Sequence, residues 1–548
     1  MIFTLVSNFL IIISILGYSY LLKKFLFVKE NYYLVLIDIV FGFLFLLFIS
    51  IFFNFFLALE KLTLIIFIIG IIIFIYCISK KLVKINFWKL ILILSFFSFI
   101  FYDNGNNVDS AVYHIQSIKW SNLYKTPIGL SNLDWLYPLN SSWHTLLSLF
   151  SFQIKDFNTI YILNIIPLSI IYYEIFNNKE NIKKLSYVTL YLSGIYLIIF
   201  SVIHPFKNGV IFNHYGNPEV DSIGMCFFIL SSYLFLKYFE ENNKYNFNLL
   251  LITSFLCVTS KITYSSVVLF PIYILIYEKF YYLKSKIIFL ASILSALWMI
   301  RSFLYSACFI YPINFTCLNT QWFFGEEKIT QLVNLTKGFS RDTRLRDRYT
   351  DFDHVIYSYD WFIPWFNDYF LNTKMLLIST FIIILSIFLT IFSYFLNNKT
   401  KISKPFYFII FSFVISMFIW FQAPEIRFGW GILIVFPCLF LAMSILNFSN
   451  FEIFYNKNIF MICILAFFSL SILKNFDDLT YRNLVIPYEK KWDYSQITSI
   501  GKFNGEEIFS SYNWQCADFP GICVNQKKEN YHVYKKYNYL IFLNDKSE

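Results

Sequence analysis

The chain has 548 residues, 58% hydrophobic and only 14% charged, with a formal net charge of +10. Soluble domains carry about 25% charged residues. Apolar runs of about 16–25 residues recur throughout, so the composition excludes a soluble enzyme and indicates an all-α polytopic membrane protein. The positive charge does not imply a nucleic-acid partner, because the lysines sit in short loops between apolar runs, as expected beside a lipid bilayer.

Residues 2–22 are apolar, lack a basic leading segment and a small-residue cleavage site, and are followed by Lys23 and Lys24; they read as a retained span. The most basic short loops are 23–29, 80–89, 177–184, the region of Lys279–Lys286, and 397–404. Placing them in the cytoplasm gives one self-consistent topology. Spans 33–58 and 62–79 form a hairpin, and span 88–102 then delivers a long polar stretch, residues 103–143, to the outer side. That stretch holds Asp103, Asp109, Asp134 and His114, with His144 just beyond. From Ser110 to Trp120 the periodicity is helical, with Val112, Ile115 and Ile118 near one face. Asp109 or Ser110 fits the N-cap of that helix, and the same Asp109 carboxylate fits a group presented to the bilayer surface.

Residues 141–152 are too short to cross a bilayer and read as re-entrant or interfacial. Spans near 157–176 and 185–203 follow, then an outer segment, 204–221, with His204, His214, Glu219 and Asp221. Spans 222–238, 246–260 and 262–278 place Lys261 at the outer tip of a tight hairpin, and span 286–305 carries Arg301 near its outer end. In the outer segment 306–370 the charged run 340–354 reads as a solvated face, and Trp322, Trp361 and Trp365 read as interfacial anchors. Spans 373–395 and 405–422 lead to an outer turn, 423–431, with Glu425 and Arg427; spans 430–447 and 457–473 complete a bundle of about 12–14. The polar tail 474–548 lies outside, with 539–543 as a candidate strand.

Of nine cysteines, Cys77, Cys226, Cys257, Cys438 and Cys463 fall in apolar runs, where cysteine behaves as a small hydrophobe. Cys308 with Cys317, and Cys516 with Cys523, fall on the outer side as two close pairs, the pattern of two disulfides in an oxidising compartment.

The topology gathers ionisable residues near the outer boundary, where they often mark a site. Asp109 and Asp221 come from separate segments, as do Lys261, Arg301 and Arg427. Such cations neutralise a lipid phosphate. A carboxylate can take the proton of an incoming hydroxyl, and a carboxylate pair is also a donor set for a divalent metal ion. Each has a plainer reading beside it: Lys261 as a snorkelling lysine, Arg427 as a structural partner of Glu425.

The stretches DSAVYHIQSIKW (109–120), NSSW (140–143), PEVD (218–221), RSFLYSACFIYP (301–312) and APEIRFGWG (423–431) resemble a group of bacterial membrane proteins with a GT-C-like core, and through it the GT-C superfamily of membrane glycosyltransferases. The resemblance covers residues 88–445. It sets residues 1–87 apart as additional N-terminal helices, gives a core over 88–473 with outer loops 102–141, 204–221 and 306–370, and leaves 474–548 as an extracytoplasmic segment. It implies a protein of the bacterial inner membrane with its site facing outward. There a sugar passes from a polyprenyl-phosphate-linked donor to a glycan, lipid or protein acceptor, with inversion. Asp109 and Asp221 would be the catalytic acids, and Lys261, Arg427 and Arg301 would bind the donor phosphate. Asp103, His114 and Glu219 would be accessory. Ser110 stands where the superfamily often has a second acid. Competing readings are a surface-polysaccharide polymerase or ligase built on Arg341, Arg344, Arg346 and Arg348, a lipid-linked glycan transporter, and a non-catalytic scaffold.

Overall fold

The computed structural model describes residues 2–26, 33–100, 108–154, 157–177, 184–203, 216–341, 353–397, 404–446, 494–525, 532–537 and 539–543. Asp103, His204, His214, Arg344, Arg346, Arg348, Cys463 and the expected span 457–473 lie outside them.

Among the described residues, seven helices are long and apolar enough to cross a membrane: Ile2–Leu26, Leu36–Asn54, Glu60–Ser79, Asp221–Glu241, Lys286–Ser306, Lys374–Phe392 and Ile426–Leu446. Five shorter apolar helices accompany them: Phe87–Phe99, Ile165–Asn177, Leu185–Ile199, Ile262–Tyr277 and Tyr407–Phe421. Helices satisfy their own backbone groups, and these carry Ile, Leu and Phe around most of their circumference, which suits hydrocarbon. Apolar side chains gain little by meeting one another in lipid, so close packing and interhelical hydrogen bonds must select the neighbours. Gly17 and Gly70 show this: each lies so close to the backbone of the facing helix that a Cβ at either would overlap it. The Tyr18 hydroxyl then donates to the Ile66 carbonyl at 2.7 Å, and Ser14 Oγ to the Phe67 carbonyl at 3.0 Å.

The bundle has two chemically distinct ends. At one, the basic loops meet: Leu34 N donates to the Leu82 carbonyl at 2.7 Å, and Lys286 Nζ to the Phe25 carbonyl at 3.1 Å. Here Lys23 and Asp38 form a buried pair at 2.7 Å, and the Tyr245 hydroxyl donates to the second Asp38 oxygen at 2.6 Å. These partners offset the cost of taking the carboxylate out of water.

At the other end, the C-terminal residues build a small β unit. Strand Glu506–Ser511 lies between Ile497–Phe503, antiparallel to it, and Ile522–Val524, parallel to it. His532–Lys536 pairs antiparallel with Tyr539–Leu543, the segment expected as a candidate strand. This hairpin docks on the polar stretch after the fourth helix: Ile128 N donates to the Leu540 carbonyl at 3.0 Å, and Phe542 N to the Ile128 carbonyl at 2.9 Å. Trp120, Leu130, Tyr137, Ile508 and Phe542 form a shared apolar core beneath it. Disulfides join Cys308 to Cys317 and Cys516 to Cys523.

Two expectations change. Helix Ser142–Leu149 is short, as its length required, but every residue in it is buried among other parts of the chain. Trp361 and Trp365 are also buried, packed against Phe421 and, for Trp365, Trp420. They anchor one part of the protein to another, because their neighbours in space are aromatic helix ends that the sequence keeps about 60 residues away.

Candidate functional site

Residues Ser110–His114 form a turn of π-helix before the α-helix Ile115–Leu123, closed by the bond from Ile115 N to the Ser110 carbonyl. Tyr113 stands one α-helical turn after Asp109, on the same face, and the extra residue of the π turn brings His114 round towards them, where α-helical spacing would have turned it away. The expected cap is not formed: Asp109 is itself helical and makes no capping bond, because its carboxylate accepts from Arg427.

Arg427 lies in the one-turn 3₁₀ helix Ile426–Gly429, just before the apolar helix Trp430–Leu446. Trp420 Nε1 donates to the Glu425 carbonyl at 2.8 Å, and the Tyr369 hydroxyl donates to Glu425 Oε1 at 3.2 Å, which fixes the turn. Gly429 permits it, since a Cβ there would come within 2.6 Å of the Trp420 indole nitrogen. Arg427 also approaches Glu219, at 4.0 Å, and that carboxylate is fully buried.

Lys261 and Asp221 form a second pair at 2.6 Å. Lys261 is extended backbone at the break between helix Lys244–Ser260 and the 3₁₀ turn Ile262–Val268, so its side chain leaves the bundle wall at a helix end. Asp221 is in the first turn of Asp221–Glu241, where the helix dipole favours a carboxylate. The two pairs adjoin. The Phe428 ring lies 4.5 Å from Lys261 Nζ and 5.3 Å from the Arg427 guanidinium carbon. Tyr113 lies within reach of both acids: burial first, then the charges of Asp109 and Asp221, push its hydroxyl well above the ordinary tyrosine range, against the lowering effect of Arg427. A quarter of the Asp109 and Arg427 side-chain surfaces remains exposed (26% and 29%), whereas Asp221 is 2% exposed. The cluster therefore has an open rim and a closed floor.

The loop before Asp221 is held from below. Trp143 Nε1 donates to Asn164 Oδ1 at 2.7 Å, and Asn164 Nδ2 donates to the carbonyls of Asn217 and Glu219, both at 2.7 Å. His144 Nε2 lies 3.1 Å from the Pro218 carbonyl, and since a carbonyl only accepts, Nε2 carries the proton. Burial, with Arg301 and Lys261 nearby, lowers the His144 pKa to about 3, so the ring is neutral. Ser141 Oγ donates to the Ser260 carbonyl at 3.0 Å. The NSSW, PEVD and Lys261 segments are thus one hydrogen-bonded structure. His114 stacks at a tilt on His144, with ring centres 5.1 Å apart.

Arg301 is elsewhere. The residue is 2% exposed and its guanidinium ends on three hydroxyls: Tyr305 at 2.7 Å, Ser121 at 2.5 Å, and Thr145. Arg341, the described member of the arginine run, donates to the Val355 and Gln422 carbonyls at 3.0 and 3.1 Å and lies over the Trp361 ring, which is a structural role.

The site carboxylates are engaged by cations in this arrangement. Asp109 and Asp221 each face a cation, and among the described residues no group of three or more His, Cys, Asp or Glu side chains converges.

Fold and site together define a polytopic α-helical membrane protein with a double ion-paired cluster at one end of its bundle. A family model described as Domain of unknown function (DUF8201) matches residues 1–434, and the chain belongs to that family. The match begins at residue 1 and so takes in the N-terminal helices together with every residue of the cluster. No curated protein and no solved structure matches the chain.

Sequence reasoning placed Asp109, Glu219, Asp221, Lys261 and Arg427 on one side, and the structure brings them into contact range. It missed Tyr113, whose signal was its fourth position after Asp109, and Asn164, a lone polar residue in an apolar run.

Proposed function

We propose that this protein is a membrane glycosyltransferase that moves a sugar from a polyprenyl-phosphate-linked donor to an acceptor hydroxyl at the extracytoplasmic face. The observation that carries the proposal is the contact between a partly exposed carboxylate, Asp109, and a partly exposed guanidinium, Arg427, beside the Lys261–Asp221 pair. A phosphate entering at the rim competes with Asp109 for Arg427, since guanidinium binds phosphate and carboxylate with the same fork. Once Arg427 turns to the phosphate, Asp109 loses its neutralising partner and becomes a stronger base. It then takes the proton of the acceptor hydroxyl as that oxygen bonds to the anomeric carbon. The bond from that carbon to the phosphate oxygen breaks, its electron pair stays on the lipid phosphate, and the configuration inverts. Lys261 and Arg427 stabilise the charge gathering on the leaving group. Arg301, one histidine removed, adds positive field at longer range.

A second reading has its own observation: each acid is already matched to a cation, which is also what a non-catalytic scaffold or transporter would hold. Complementation separates them. The gene is deleted, surface glycans and lipid-linked sugars are profiled, and wild type or Asp109→Asn is restored at matched membrane levels. The transferase reading expects wild type alone to restore a lost glycan, with donor lipid accumulating in the variant. Full restoration by Asp109→Asn overturns it.

A further inference from the structure

The Arg301 pocket has features beyond the long-range field that Arg301 lends to glycosyl transfer at Asp109. A small cavity opens among Trp120, Asn140, His144, Arg301 and Tyr305, about the size of one water molecule. Its wall carries a full positive charge, and among the described residues no carboxylate pairs with Arg301; the partners are hydroxyls alone. Leaving a buried charge uncompensated is costly, and hydroxyl dipoles offset only part of it. Trp120, 2% exposed, has an indole N–H with no hydrogen-bond partner. Tyr305 accepts from two guanidinium nitrogens, which leaves its own proton to donate. His144 is neutral and adds no charge. The cavity is therefore lined by one positive charge and by up to three side chains with donor groups, in a space too small for a whole sugar. Asn140 Oδ1, also without a partner, supplies one acceptor for a hydroxyl or water beside the bound group.

We infer that this pocket binds a single small, singly charged anionic group, held by Arg301, Trp120 and Tyr305. The same chemistry has two sources, a free inorganic anion or the terminal acid of a substrate, and the inference holds whether or not the protein transfers sugars. The test is thermal unfolding of the full chain in detergent at constant ionic strength. Sodium chloride, sodium formate or sodium glucuronate is titrated against sodium methanesulfonate, whose three-oxygen head is too bulky for the pocket; neutral glucose is the sugar control. At least one of the first three is expected to raise the Tm saturably. A shift with chloride assigns a free ion, and a shift with formate and glucuronate alone assigns an acid-bearing substrate. Arg301→Gln is expected to abolish the shift. Trp120→Phe, which keeps a ring and removes the N–H, is expected to weaken the half-saturating concentration about tenfold, and it serves alone if Arg301→Gln does not fold. Equal Tm in all the salts, or shifts unchanged in Trp120→Phe, overturns the inference. Asp109→Asn is expected to leave the shifts intact, so failure here and failure of the transferase reading are distinguishable.

Discussion

The Arg427 guanidinium donates to the Asp109 carboxylate across 318 positions of sequence, and each residue is set by a local irregularity, a π turn on one side and a 3₁₀ turn on the other. The pairing makes the two side chains unequal in their response to mutation. Asp109→Asn keeps a hydrogen-bond acceptor for Arg427 but has no carboxylate to take a proton. Its transfer rate is expected to fall by about 10²–10⁴, with a Tm close to wild type. Radiolabelled sugar incorporation in membrane vesicles, beside unfolding of the purified variant, checks both.

The Lys261–Asp221 pair is more buried, so breaking it acts on stability. Lys261→Met leaves the Asp221 charge unmatched and is expected to cost about 3–5 kcal/mol, whereas Lys261→Met with Asp221→Asn should recover much of that loss. A four-member double-mutant cycle followed by thermal unfolding decides; equal destabilisation of the single and double variants would sink the argument.

Lys23→Met makes the same kind of break at the opposite end, where Asp38 is fully buried. Stability is expected to drop by a similar about 3–5 kcal/mol. Activity per folded molecule should not change, because no site residue touches that pair. Vesicle activity normalised to the folded fraction measures this.

His144 makes folding sensitive to acid. Its pKa is lowered by burial to about 3 from an ordinary 6.5, so the unfolded chain binds a proton that the folded chain refuses. Its stability contribution is complete above pH 6.5 and is lost progressively as pH falls towards 3. His144→Gln, which keeps a donor for the Pro218 carbonyl, is expected to flatten that part of the stability curve. Chemical unfolding of both proteins from pH 7 to pH 4 tests it.

The disulfide loop grips the π turn directly: Ala517 N donates to the Ala111 carbonyl at 2.7 Å, Gln116 Nε2 to the Ala517 carbonyl at 2.8 Å, and Asn525 Nδ2 to the Val112 carbonyl at 3.0 Å. Cys516→Ser with Cys523→Ser is expected to speed hydrogen exchange at the amides of 111–116 while leaving the long helices protected. Mass-spectrometric exchange resolves the two regions, and unaltered protection at 111–116 would refute the grip.

The readable parts of this molecule are those governed by composition and period. Long apolar runs gave the helices, a short apolar run in a polar tail gave the strand Tyr539–Leu543, and close spacing gave both disulfides. Listing charges near helix ends gave the members of the cluster. The pairings within it were not legible. Arg427 had Glu425 two residues away as an obvious partner, yet its turn aims it at Asp109, and Glu425 goes to Tyr369. Tyr113 was legible in principle, one helical turn after Asp109, but the place of His114 was not, because nothing local in SAVYH announces a π turn. The Lys23–Asp38 pair was likewise invisible, because only packing brings together residues on successive helices.

The brace on the turn that holds Asp109, around Ala517 and Asn525, lies about four hundred positions further along the chain. During synthesis the earlier helices can therefore be in place while that turn still lacks its support. The ion-paired cluster is finished only when the β unit docks and its disulfide closes.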